Sequence, residues 1–187
     1  VSKNLEVDTL IAVAEKILNK RKNFSLTGER EEQRAFYDIL KIGTSAGGAR
    51  AKAVIAFNEV TEEMRSGQYF APEGFEHWLI KFDGVMDKQF GASNGYGRVE
   101  MAYYEMAKDA GIEMMESRLL EENDRAHFMT KRFDRTTKGD KVHVQTFCAL
   151  RHFDFNNVLQ YSYEQLFETM RMLRLSYPQA EQMYRRM

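Results

Sequence analysis

The spacing of apolar positions changes period twice along this chain. From Asp8 to Arg21, Leu10, Ile11, Val13, Ala14, Ile17 and Leu18 recur at helical intervals, which predicts an amphipathic helix. A second helix is expected from Glu29 to Ile42, with Phe36, Ile39 and Leu40 on one face and a turn over Asn23 to Gly28 before it. The period then shortens. Lys52-Ala53-Val54-Ile55-Ala56-Phe57 is a run of strand type, and Glu76 to Phe82 alternates so that Trp78 and Ile80 lie opposite Leu79 and Lys81. Small residues lead into the first of these as the loop Gly43-Thr44-Ser45-Ala46-Gly47-Gly48. Asp83 to Gly97, with Gly84, Gly91, Gly95 and Gly97, reads as another loop.

A helix is predicted from Val99 to Ala110, closed by Gly111. Two strands follow, Glu113 to Glu121 and Ala126 to Phe133, and Glu122-Asn123-Asp124-Arg125 between them suits a hairpin turn. Thr136 to Lys141 is a polar link and Val142 to Val144 a short strand. From Thr146 the period returns to helical: Leu166, Phe167, Met170 and Leu173 share one face of Tyr163 to Leu173, and Pro178 opens a last helix over Gln179 to Met187. The sum is an α+β chain: a helical segment over 1–42, a strand-rich centre with one embedded helix over 43–135, and helices over 136–187. The last helix stops without a capping glycine or polar tail, as a cut chain would.

Composition narrows this little. The 187 residues, 43% hydrophobic, suffice for one ample core, and the net charge of −1 gives no general attraction to nucleic acid or anionic lipid. With Cys148 the sole cysteine, no internal disulfide can form, and its apolar neighbours suggest a buried, inert thiol. No window of about 18 apolar residues could cross a membrane. No signal peptide is visible and Val1 is not an initiator methionine, so a cytoplasmic protein trimmed at its start is expected.

The informative chemistry is an ordered set: a glycine-rich loop with Gly47 and Gly48, a strand bearing Lys81, and a helix bearing Glu100. Glycines let backbone N–H groups approach phosphate oxygens, a lysine supplies a fixed cation, and a carboxylate on a neighbouring helix holds that lysine in place. Taken singly, each has a plainer reading as a turn, a strand lysine in water or a solvated helix residue. The loop is no Walker A motif, since Gly-Lys-Ser/Thr is absent.

Longer stretches carry a family likeness. Ser45-Ala46-Gly47-Gly48-Ala49-Arg50-Ala51-Lys52 resembles the glycine-rich loop of the HipA-like serine/threonine kinases, the toxins of type II toxin–antitoxin systems. Trp78-Leu79-Ile80-Lys81-Phe82 is similar to that family's lysine strand, Glu100 to Ile112 to its glutamate helix, and Lys131-Arg132-Phe133-Asp134-Arg135 to its adenine hinge. The resemblance spans Gly43 to the C-terminus. It implies a kinase-like small lobe followed by the first helices of a truncated large lobe, and ATP with magnesium as cofactors. It further implies that Lys81 contacts ATP phosphates and pairs with Glu100, while main-chain atoms of Lys131 and Phe133 bond the adenine. Lys131 stands where the family has glutamate. Ser45 would be the autophosphorylated serine, adding roughly two negative charges beside the phosphates. The implied partners are a small DNA-binding antitoxin, through which alone DNA would be reached, and a protein substrate of the aminoacyl-tRNA synthetase class.

The family's Asp-x-His-x-Lys-Asn loop and later metal-binding aspartate are absent from this sequence, so the chain by itself is expected to be inactive. A non-catalytic interaction module and one half of a split kinase are the rival readings. His152-Phe153-Asp154-Phe155-Asn156-Asn157 lacks a lysine two residues after Asp154 and reads as a turn between helices. Phe82-Asp83-Gly84 precedes the hinge, in the wrong order for a metal-binding triplet, and reads as a strand end. His77, His127 and His143 lie on separate strands without zinc-ligand spacing. Lys131, Arg132, Arg135, Lys138 and Lys141 form a basic cluster suited to an acidic partner or phosphate, or more plainly to a solvated hairpin edge.

Overall fold

The computed structural model describes residues 7–12, 51–67, 71–87, 91–92, 95–136, 138–157 and 160–187. The expected helix over Glu29–Ile42, most of the first helix and the loop with Ser45, Gly47 and Gly48 lie outside the described residues. The fold is α+β. Among the described residues seven strands are formed: β1 (Lys52–Phe57), β2 (Met64–Ser66), β3 (Glu76–Lys81), β4 (Met86–Asp87), β5 (Gly91–Ala92), β6 (Ser117–Glu122) and β7 (Arg125–Lys131). Five of them make an antiparallel sheet in the order β2-β1-β3-β7-β6, and β4 and β5 pair as a separate ribbon. Helix α1 (Tyr96–Asp109) is inserted between the ribbon and β6; α2 (Phe147–Arg151), α3 (Tyr163–Met172) and α4 (Tyr177–Tyr184) follow the sheet.

Alternation divides the sheet into two faces. One carries Ala53, Ile55 and Phe57 of β1, Trp78 and Ile80 of β3, and Met129 of β7. Val7, Leu10 and Ile11, from a helical segment at residues 7–12, join this cluster together with Phe82 and Val85. The other face carries Lys52, paired in register with Lys81, and Lys81 in turn pairs with Phe128. Helix α1 lies on that second face. Strand β1 is buried at every position, which is why its sequence reads as an apolar run without alternation.

Local chemistry explains the joints. Asn123 and Asp124 have φ of 48° and 60°, the two consecutive left-handed residues of a type I′ hairpin, a turn whose twist matches its strands. Gly111, at φ 74°, ends α1: its N–H bonds the Lys108 carbonyl at 2.8 Å while Ile112 N–H bonds that of Ala107 at 2.9 Å, the crossed pair of a Schellman cap. Thr146 caps α2 through Ala149 N–H, and Ser162 and Gln165 form a capping box on α3.

Three expectations need correcting. Val142 to Val144 forms no strand; Val142 and Val144 are exposed, and Lys141 makes one isolated bridge to Arg135 instead. The stretch from Asp83 to Gly97 is not simply loop, since it contains the β4–β5 ribbon and α1 starts at Tyr96. Cys148 is half-buried rather than buried, because it sits on a short helix whose neighbours Ala149 and Leu150 face solvent.

Helix α1 lies on β7 at backbone distance. A methyl group at Gly97 would overlap the Ala126 carbonyl oxygen and come within 2.9 Å of its carbon and 3.2 Å of Phe128 N. Glycine-to-alanine changes at open helix positions stabilise by roughly 0.5–1 kcal/mol. At Gly97 the sign should reverse: Gly97→Ala is expected to destabilise by about 2–3 kcal/mol, the cost of overpacking, measurable as a lowered denaturation midpoint.

Candidate functional site

The site is built where β3, β1 and α1 meet. Lys81 ends β3, and Glu100 sits one turn after Gly97 on α1, so the close approach of helix to strand delivers its carboxylate to the sheet face carrying Lys81. The Lys81 ammonium forms an ion pair with Glu100 Oε2. Lys81 Nζ also lies 5.7 Å from the centre of the Phe128 ring, its register partner on β7. About a third of each charged side chain remains accessible, 35% for Lys81 and 27% for Glu100. The pair is therefore held in place while remaining reachable by a ligand.

Lys52 stands across from Lys81 on β1. It is buried, and burial lowers its pKa, with the Lys81 charge adding to the fall and Glu100 opposing it. In the sequence Lys52 is the last residue of the loop motif and the first of the strand run. Its role as a neighbour of the pair depends on strand register, which no local pattern specifies.

Lys131 and Phe133 lie at the end of β7. Lys131 N–H is committed to the Glu116 carbonyl at 2.8 Å, and Arg132 N–H to that of His77 at 2.9 Å. The Lys131 ammonium reaches Glu76 at 2.6 Å and Glu116 at 3.1 Å, over the Trp78 ring. Burial opposes its charge, but these two glutamates raise its pKa overall. The Phe133 ring is 66% exposed and stands apart from the Lys81–Glu100 pair in sequence and strand. Two arginines grip Asp134 beside it: Arg132 donates from Nε at 2.6 Å and from Nη2, and Arg135 Nη1 donates at 2.9 Å. The Arg132 hydrogen bond, against burial and reinforced by both positive charges, holds the Asp134 carboxyl below its usual range. Within the basic cluster, then, Lys131, Arg132 and Arg135 are engaged by neighbouring carboxylates.

Next to the pair, Asp83 and His127 form a buried link. Asp83 N–H donates to His127 Nδ1 at 2.9 Å, and Asp83 Oδ2 accepts from Gly95 N–H at 3.0 Å. His152 closes α2 in the left-handed region and Asp154 Oδ1 accepts from Asn156 N–H at 3.0 Å, which makes that segment a turn. At the far end of α1, Arg185 of the C-terminal residues donates to Ala110 O at 3.1 Å, Gln182 to Gly111 O at 3.0 Å and Arg186 to Glu113 O at 2.6 Å. Ser45, Gly47 and Gly48 lie outside the described residues.

A family model, the HipA-like C-terminal domain, matches residues 44–187. The chain belongs to that family. No curated protein and no solved structure matches it. Among the described residues no helix is long and apolar enough to cross a membrane, and no three His, Cys, Asp or Glu side chains gather to hold a metal ion.

Burial lowers the His127 pKa below the usual 6.5, with Asp83 and Asp8 opposing and Arg125 assisting; burial, Arg135 and Arg132 do the same at His77. As pH falls, the unfolded chain therefore takes up these protons first. Stability should be complete above about pH 6.5 and decline below it. Melting temperatures between pH 7.5 and 5 should show this fall, with a shallower slope in His127→Phe.

Proposed function

We propose that this chain is the ATP-binding part of a HipA-like serine/threonine protein kinase. One observation carries the reading: Lys81, at the end of the third strand, is paired with Glu100 on the helix that follows. Kinases use that arrangement to aim a lysine at ATP phosphates. Lys52 in register beside Lys81 supports it, since a second cation suits a polyanion better than a lone ion pair does. The stretch 131–133 would serve the adenine through the Lys131 carbonyl and the Phe133 main chain, because the Lys131 N–H is already bonded to Glu116. Gly47 and Gly48 would cover the phosphates, and Ser45 would be the regulatory phosphorylation site.

The residues present fit the nucleotide better than its metal. Magnesium would be bound poorly by this chain. Lacking the Asp-x-His-x-Lys-Asn loop, the chain binds without transferring. By the same family likeness, its partner would be a small DNA-binding antitoxin, and the parent kinase's substrate a protein such as an aminoacyl-tRNA synthetase.

Calorimetry with ATP should register binding that Lys81→Ala abolishes and Glu100→Gln weakens about tenfold, the loss of one charge-assisted contact. No heat at millimolar ATP would leave the interaction-module reading in its place. Transfer of γ-phosphate by the purified 187-residue chain would overturn the assignment of inactivity.

A further inference from the structure

Asp83 belongs to a triplet that sequence order rules out as a metal site, yet it is 4% exposed, a cost that an ordinary strand-end aspartate does not carry. Its contacts say what it does. The main chain of Asp83 is anchored on His127, a fully buried histidine of β7 whose ring meets Phe82 edge-on at 5.8 Å. Its carboxylate takes the N–H of Gly95, the left-handed residue (φ 79°) from which α1 starts. Gly95, the helix's N-cap, has no side chain to contribute a cap of its own.

Two fixed points therefore define where α1 begins. Gly97 is set against Ala126 of β7, and Gly95 is tied through Asp83 to His127, the next residue of the same strand. Lys81 lies two residues before Asp83, and Glu100 five residues after Gly95. We propose that Asp83, seated on His127, is a positioning residue that registers the start of α1 against β3 and so brings Glu100 to Lys81. Its consequence for ATP rests on the function proposed above; the positioning of α1 does not. The Asp83 carboxylate makes no hydrogen bond to either member of the pair and acts through the helix.

The test compares wild type with Asp83→Ala, Asp83→Asn and Lys81→Ala, reading amide hydrogen exchange over residues 95–104 and ATP affinity by calorimetry. Asp83→Asn keeps an oxygen acceptor for Gly95 N–H. Asp83→Ala should speed exchange of these α1 amides about tenfold and weaken ATP binding by a similar factor, leaving β6 and β7 protected. Asp83→Asn should stay close to wild type in both readouts. Lys81→Ala should lose ATP binding with α1 exchange unchanged. Uniformly faster exchange across the sheet, or α1 as protected in Asp83→Ala as in wild type, would overturn the proposal. Should Asp83→Ala not fold, His127→Phe carries the same comparison, since it keeps a ring against Phe82 and removes the acceptor of Asp83 N–H. Wild type that binds no ATP would sink the nucleotide reading alone, and the exchange arm would still decide for or against Asp83.

Discussion

Everything at the candidate site depends on how closely α1 can lie on β7, and that distance is set by the missing side chain of Gly97. The Lys81–Glu100 ion pair cannot perform this task. Both partners are about a third exposed, and pairs of that kind contribute about 0–1 kcal/mol. Displacing a helix from a packed sheet costs several times more. The order of causes therefore runs from backbone contact to helix placement to ion pair. The salt bridge reports correct docking and does not produce it.

Electrostatics at the site work against folding. Lys52 and Lys81 stand opposite each other on adjacent strands, where like charges destabilise, and burial penalises the Lys52 ammonium further. A sheet selected for stability alone would place opposite charges or apolar residues there. The Arg132–Asp134–Arg135 group has the opposite character, since both arginines share one carboxylate and the bonds tie the segment after β7 together.

Most of the sheet could be read from the sequence because its signals are local. Alternation in Glu76–Lys81, the Asn123–Asp124 turn and Gly111 after α1 each declare themselves within a few residues. The failures are as instructive. Met64–Ser66 has neither apolar alternation nor β-branched residues, and becomes a strand only because β1 offers an unpaired edge. Val142–Val144 has strand composition and finds no edge to join. At the site, Lys81 and Glu100 followed from order along the chain together with family likeness. Lys52 as neighbour, Gly97 as contact and the Asp83–His127 link follow from register and helix docking, which couple residues as much as 44 positions apart.

The bonds from the C-terminal residues to the end of α1 give that helix a mechanical character. Arg185, Gln182 and Arg186 hold the backbone of residues 110–113, while the opposite end is seated at Gly97. At a rise of about 1.5 Å per residue, Glu100 lies roughly 4.5 Å from that seat and Gly111 roughly 21 Å. The helix is thus a lever with its fulcrum beside the carboxylate. A 2 Å swing at the distal end moves Glu100 by only about 0.4 Å on these lengths. A displacement of the end held by the C-terminal residues would therefore reach Glu100 reduced about fivefold on these lengths.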